Sequence, residues 1–248
     1  MPSSKLSSLS LFFPAYYDKN TVEPLTLACI EAAKKLTEDF EIIIVDDHSP
    51  DGTGRVADEM ARRFKEVRAI HHEKNKGVGE AMITGYTAAQ KDYVFYTDGD
   101  AQYNVSELPL LAEHIGNYDL VIGYRLKRAE GFKRVFTSRS FHLLIWLFFG
   151  IHFKDIDCSF KLIDRRLLKK MTFYTRGGLI DSEMMIQAKK FGARIKEVGV
   201  HHYPRQFGVS RCLNWKLVFS MLTDILRLRW RFERRALRIV PDDLKLGF

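Results

Sequence analysis

Short apolar runs alternate with helix-length segments through the first half of the chain, and that alternation constrains the fold more than any other feature. Leu9 to Phe13 reads as a strand stopped by Pro14. Thr21 can cap a helix from about Val22 to Leu36, with Glu23 in its first turn and Pro24 early enough to be tolerated. Glu41-Ile42-Ile43-Ile44-Val45 is a continuous apolar run, the mark of a strand buried on both faces. A helix from about Thr53 to Lys65 follows, then the strand Val67 to His71. Asn75-Lys76-Gly77-Val78-Gly79-Glu80-Ala81 opens another helix running to Gln90, ahead of the strand Tyr93 to Thr97. A helix from about Ser106 to Ile115 leads to the strand Leu120-Val121-Ile122. Consecutive parallel strands need such crossover helices and take them right-handed. The spacing therefore predicts an α/β domain with a mainly parallel central sheet and helices on both faces. With 248 residues, 46% hydrophobic, the chain can bury one such core.

The strand Tyr93 to Thr97 runs straight into Asp98-Gly99-Asp100-Ala101-Gln102. Open α/β sheets bind ligands at the carboxyl ends of their strands. Two carboxylates one residue apart are hard oxygen donors that suit Mg²⁺ or Mn²⁺, whose shells are completed by water and substrate phosphates. A plain acidic turn accounts for the same residues, since Asp-Gly is a common turn dipeptide. The turn from Asp46 to Thr53 and the stretch Asn75-Lys76-Gly77 also follow strands, so acidic and glycine-rich turns converge on one edge. That is a nucleotide-binding architecture. Gly77-Val78-Gly79 is not a dinucleotide fingerprint, because Met82 takes the third glycine position and the stretch lies far from the first strand. A loop-to-helix turn explains those glycines as well as a ligand does.

The formal charge of +8 suits nucleic acid, anionic lipid or phosphorylated substrates. No nucleic-acid recognition motif accompanies it, so nucleic acid is not expected. Cys29, Cys158 and Cys212 are scattered, which fits a reducing compartment and no disulfide or structural zinc framework. Leu6 to Phe13 is too short and too alternating for a signal peptide. The apolar window Phe141 to Phe153 falls short of the ~20 residues that span a bilayer, so no transmembrane helix is expected. Beyond Gly123, Arg125, Lys127, Arg128, Lys133, Arg134 and Arg139 crowd a polar stretch. Asp155 to Lys161 leads into a strand and a short helix through Leu168. Asp181-Ser182-Glu183 starts a helix to Phe191, closed by Gly192. A strand from Arg194 to Val200, a basic loop from His201 to Arg211 and a helix from about Leu213 to Arg238 complete the chain. The expected organisation is a domain over 1–212 and a C-terminal amphipathic helix and tail over 213–248.

In this order the motifs resemble the inverting family 2 glycosyltransferases of the GT-A (Rossmann-like) fold. Within them the chain is most similar to the dolichyl-phosphate mannose synthase-like branch, which includes bacterial undecaprenyl-phosphate sugar transferases. The likeness runs from Pro14 to Arg211. Pro14-Ala15-Tyr16-Tyr17-Asp18 looks like the family's P-A-Y-N-E turn under the nucleotide, with Tyr17 for Asn and Asp18 for Glu. Val45-Asp46-Asp47-His48-Ser49-Pro50-Asp51-Gly52-Thr53 resembles V-D-D-x-S-x-D-G-T, where an aspartate reads the base; a carboxylate can accept the N–H groups of uracil or guanine. Asn75-Lys76-Gly77 resembles the N-x-G element beside the donor. Asp98-Gly99-Asp100-Ala101-Gln102 resembles D-A-D-L-Q, which implies that Asp98, Asp100 and Gln102 face the diphosphate and a Mg²⁺ or Mn²⁺ ion. Arg125, Arg134 and Ser138 fall where that branch binds the acceptor phosphate; a solvated basic loop is the other reading. Asp157-Cys158-Ser159-Phe160-Lys161 resembles the acceptor-side D-x-T-S-G-F-R element. Glu183 sits where the family carries a helix-borne carboxylate, or else it complements the helix dipole. Arg205-Gln206-Phe207-Gly208-Val209-Ser210-Arg211 resembles R-x-x-G-x-S-K, a loop closing over the donor diphosphate, with Ser210 beside the acceptor phosphate. His201 and His202 read as strand-end residues more readily than as metal ligands.

The resemblance implies transfer of a hexose from a UDP- or GDP-linked donor to a polyprenyl phosphate at the cytoplasmic membrane face. A phosphate acceptor is already an anion and needs no strong base. A hydroxyl acceptor, the alternative, would need Asp157 or Glu183 to take its proton. A non-catalytic membrane-associated protein of the same fold is a third reading, and the intact Asp98, Asp100 and Gln102 speak against it. Phe141 to Phe149 carries the Trp and Phe that favour the headgroup boundary, and the last helix sets Arg227, Arg231, Arg234 and Arg238 beside an apolar stripe. A peripheral contact with an anionic membrane is expected of these segments; a core helix and a homo-oligomer seam are the competing uses.

Overall fold

A computed structural model of the chain describes residues 6–126, 132–205 and 223–232. One sheet of seven strands has the order β3-β2-β1-β4-β6-β5-β7. The strands are β1 (Leu9–Ala15), β2 (Phe40–Asp46), β3 (Val67–His71), β4 (Tyr93–Thr97), β5 (Leu120–Arg125), β6 (Phe160–Asp164) and β7 (Ile195–Val200). Neighbours run parallel except at β6, which is antiparallel to both β4 and β5. The helices are α1 (Val22–Leu36), α2 (Thr53–Arg63), α3 (Val78–Ala88), α4 (Leu108–Ala112), α5 (Phe132–Phe149), α6 (Arg165–Leu168) and α7 (Ile180–Lys190). Residues 223–232 are also helical (α8).

Side chains alternate across the sheet and feed two cores. Leu9, Leu11 and Phe13 of β1 join Ile42 and Ile44 of β2 against α1, α2 and α4. Phe12, Ile43 and Val45 face the other way, against α3, α5, α7 and α8. Gly85 lets α3 lie directly on the sheet, since a Cβ there would stand 2.1 Å from the Phe12 ring.

The structure differs from the sequence reading at two elements. β1 continues through Pro14 to Ala15, although it is a central strand. The proline is tolerated because β1 pairs with β4 only as far as Phe12, so no ladder bond is owed by residue 14 on that side. The helix expected from Ser106 to Ile115 is a 3₁₀ turn, Val105–Glu107, followed by the five residues of α4.

Candidate active site

The carboxyl ends of β1, β2 and β4 form one edge, and each is followed by a non-glycine residue in the left-handed region: Tyr17 (φ 62°), His48 (φ 60°) and Ala101 (φ 56°). Such conformations are costly for L-residues and persist where the surroundings enforce them, commonly at functional sites.

After β1, the amide of Tyr16 donates to Asp18 Oδ2 at 2.9 Å, and the amide of Asp18 donates to Thr53 Oγ1 at 3.0 Å. Burial, with Asp100 nearby, pushes the Asp18 carboxyl up to about 6. Gly99 allows the β4 turn to press against this one: a Cβ there would lie 2.1 Å from the Pro14 carbonyl oxygen. Thr21 Oγ1 closes the contact by donating to the Gly99 carbonyl at 2.8 Å.

After β2, Asp46 accepts from the Ser49 amide at 3.1 Å and faces His71 Nδ1 at 3.1 Å. Asp47 is buried and ties down the loop before α3. Its carboxylate meets His72 Nδ1 at 2.7 Å and takes the amides of Lys76 and Gly77 at 2.8 Å each. Asn75 Nδ2 donates to the Asp47 carbonyl at 3.2 Å. The glycines of this stretch are also structural, because a Cβ on Gly79 would stand 2.4 Å from the Arg176 carbonyl. His72 was not singled out in the sequence; its signal was the His-His pair at the end of β3.

After β4, Tyr96 donates its hydroxyl to Asp98 Oδ1 at 2.9 Å. Burial, and then the charges of Asp100 and Asp181, raise the Asp98 carboxyl to about 7. Asp100 accepts from the Gln102 amide at 3.1 Å, and the Arg205 guanidinium donates to its other oxygen. Gln102 and Tyr203 exchange two bonds of 2.8 Å, one from Gln102 Nε2 to the Tyr203 carbonyl and one from the Tyr203 amide to the Gln102 carbonyl. Gln102 therefore holds the chain leading to Arg205 beside the acidic turn, leaving its side-chain oxygen as an acceptor. The pair Asp98 and Asp100, both oxygen donors, with a protein cation lying on the latter, fits a divalent ion. Among the described residues no three His, Cys, Asp or Glu side chains gather for a metal, so water or substrate oxygens would have to complete its shell.

At the end of β5, Arg125 is paired bidentately with Asp155, Nε to Oδ2 at 2.6 Å and Nη2 to Oδ1 at 2.7 Å. Both side chains are buried, at 6% and 3% exposure, so this arginine anchors β5 to the 155–158 turn. Asp157 is partly exposed and meets His142 Nε2 of α5 at 3.1 Å. Lys161 is buried and donates to the Cys158 carbonyl at 2.6 Å and to Asp181. Neither His142 nor Asp181 was picked out in the sequence, where nothing but proximity in the fold marks them. Glu183 is fully buried. Its carboxylate accepts from the Tyr174 and Thr175 amides at 2.9 Å each, from Thr175 Oγ1 at 2.7 Å and from Gln187 Nε2 at 3.2 Å. The residue thus pins the 174–175 loop, and burial raises its carboxyl. Arg134 and Ser138 lie in α5, but their side chains, like Ser210 and Arg211 entirely, fall outside the described residues. His201 bonds to Glu107, and His202 packs edge-on to Tyr103.

The profile of glycosyl transferase family 2 matches residues 10–172. The chain belongs to that family. Undecaprenyl-phosphate 4-deoxy-4-formamido-L-arabinose transferase of Yersinia enterocolitica is 27% identical, over 99% of this chain and 74% of the relative. Glycosyltransferase AglD of Haloferax volcanii is also 27% identical, over 92% of this chain but only 38% of its own length. Glucosyl-3-phosphoglycerate synthase from Mycobacterium tuberculosis, solved with Mn²⁺, UDP and glucosyl-3-phosphoglycerate, superposes with a TM-score of 0.67 at 18% identity, covering 89% of this chain and 78% of that one. Mannosyl-3-phosphoglycerate synthase from Rubrobacter xylanophilus gives 0.68 at 18% identity, covering 97% of this chain and 78% of that one. At such identity the likeness is one of fold, and it is the GT-A fold. The family match on this glycosyltransferase takes in all three strand-end turns and the 155–161 turn; Arg205 lies beyond it.

Proposed function

We propose that this glycosyltransferase moves a hexose, with inversion, from a UDP- or GDP-linked sugar to a polyprenyl phosphate at the cytoplasmic face of a membrane it touches peripherally. The observation that carries the reading is the acidic pair Asp98 and Asp100 at the end of β4 with Arg205 laid on Asp100. A nucleotide diphosphate needs both a metal-holding carboxylate pair and a cation, and here one short edge offers both. The lipid-phosphate relatives and the Mn²⁺ and UDP in a protein of the same fold support it.

Asp98 and Asp100 would hold Mg²⁺ or Mn²⁺, with the Gln102 side-chain oxygen beside them. Such an ion supplies Lewis-acid stabilisation of the charge developing on the departing diphosphate. Arg205, released from Asp100, turns its guanidinium to the same oxygens, an electrostatic contribution made where charge builds up. The turns carrying Asp18, Asp46 and Asp47 line the wall on which the base and ribose lie. Phosphate as acceptor attacks without giving up a proton. Arg134, Ser138 and Ser210 are the proposed ligands of that phosphate.

One observation favours the hydroxyl-acceptor reading: Asp157, partly exposed and paired with His142, has the form of a general base with an orienting partner. Both readings are separated by incubating the purified chain with radiolabelled UDP- and GDP-sugars and, in parallel, undecaprenyl phosphate, dolichyl phosphate or a glycan acceptor. The proposal expects label in the organic phase with at least one donor. Label transferred only to a glycan hydroxyl would replace it with the second reading.

A further inference from the structure

A groove of about 370 Å³ lies between α5, α7 and α8, on the face of the sheet that carries those helices. Its floor is Phe149, Ile151, Ile186 and Phe232; its rim is Lys189, Lys190 and Arg229, and among the described residues no carboxylate lines it. Lys190 Nζ sits 4.0 Å over the Phe232 ring and Lys189 Nζ 5.9 Å over the Phe153 ring. Arg229 Nη1 donates to the Phe148 carbonyl at 2.9 Å. These contacts lay the side chains along the apolar floor and keep three positive charges at its edge. Among the described residues the groove thus sets three cations beside an apolar floor. An amphiphile with an anionic head satisfies both halves.

The surroundings say which amphiphile. Leu143, Trp146 and Leu147 of α5 are at least half exposed, as are Leu226 and Trp230 of α8. Each set recurs at helical spacing, opposite the buried Ile145, Ile225 and Leu228. Arg227 and Arg231 are exposed on the same helix, whose described part holds one acidic residue, Asp224. Tryptophan beside apolar side chains and arginines is the composition of a surface seated at the headgroup boundary.

We propose that this groove seats an anionic phospholipid, its phosphate on Lys189, Lys190 and Arg229 and its upper chain over Phe149 and Phe232, and so docks the α5–α8 face on the bilayer. This is a second lipid contact, separate from the acceptor: the lysines end α7, whose first turn carries Asp181 about 12–14 Å away. It rests on the proposed function only in placing the acceptor in the same bilayer.

The test is flotation of the full chain with phosphatidylglycerol/phosphatidylcholine vesicles, against phosphatidylcholine alone. Wild type floats with the anionic vesicles, and Lys189→Glu/Lys190→Glu lowers the bound fraction about tenfold or more. Lys34→Glu/Lys35→Glu, the same charge change on α1 across the sheet, leaves binding unchanged. Equal loss in both variants would reduce the effect to net charge and overturn the site. So would a wild-type dimer that Lys190→Glu dissociates, which would give the groove to a second copy. Transfer to a short-chain, water-soluble polyprenyl phosphate without vesicles separates the two claims. The lysine variant keeps that activity if the site only docks. Vesicle binding that depends on the lysines in a chain with no transfer at all would refute the function and leave the site standing.

Discussion

The strand-end edge and the α5–α8 face are built in opposite ways. At the edge, nearly every polar group already has a protein partner: Asp47 holds three groups of the β3–α3 connection, Asp18 holds Tyr16, and Arg205 lies on Asp100. On the outer face of α5 and α8, large apolar side chains stand in solvent beside cations. A site that must position a charged donor is made rigid by hydrogen bonds, whereas a surface that meets a fluid partner needs only composition. Substitutions at the edge should therefore act on chemistry or on folding, according to the group removed, and those on the face on partition alone.

The largest effect belongs to Asp100→Ala. Turnover should fall on the order of 10²–10³-fold or more, as when a positioned electrostatic group is removed. Thermal unfolding should hardly move, and a large drop in melting temperature would mean the carboxylate serves the fold instead. Arg125→Ala should do the reverse. Stranding Asp155 in a buried pocket costs about 3–5 kcal/mol, visible by denaturant titration. An unchanged stability with a raised acceptor KM would restore Arg125 to the phosphate site.

A smaller effect is the pH dependence of the metal-free chain. Asp98 ionises near 7 when folded and at ~3.9 when unfolded, so the folded state binds more protons between those values. Stability in EDTA should fall as pH rises from about 4 to about 7. Asp98→Asn should flatten that decline and raise the melting temperature at alkaline pH. A decline of equal slope in the variant would assign it to other groups. Smallest of all, Trp146→Gln should change stability by less than about 0.5 kcal/mol while weakening vesicle binding. A strongly destabilised variant would make α5 a core helix on that side as well.

How much of this was legible follows from where the information lies. β2 and β4 could be read because their apolar runs are short and rich in β-branched and aromatic residues, which suits buried strands, and the turn after each was bounded by its own Asp and Gly residues. Pro14 was misleading, since the sequence shows a missing N–H but not that β4 has turned away by that point. Arg125 looked like part of a basic run because its partner, Asp155, lies 30 residues on. Glu183 looked available because the two amides that occupy it belong to a loop the helix folds back upon. Asp181 and His142 act through neighbours remote in sequence, so no local pattern could mark them.

The central claim is that Asp98 and Asp100 bind the donor diphosphate through a divalent ion. Calorimetric titration of UDP and GDP into the chain, with Mn²⁺ and with EDTA, tests it most directly. The account predicts binding of at least one of them that requires Mn²⁺ and disappears in Asp100→Ala. Equal affinity in EDTA, or in the variant, would contradict it.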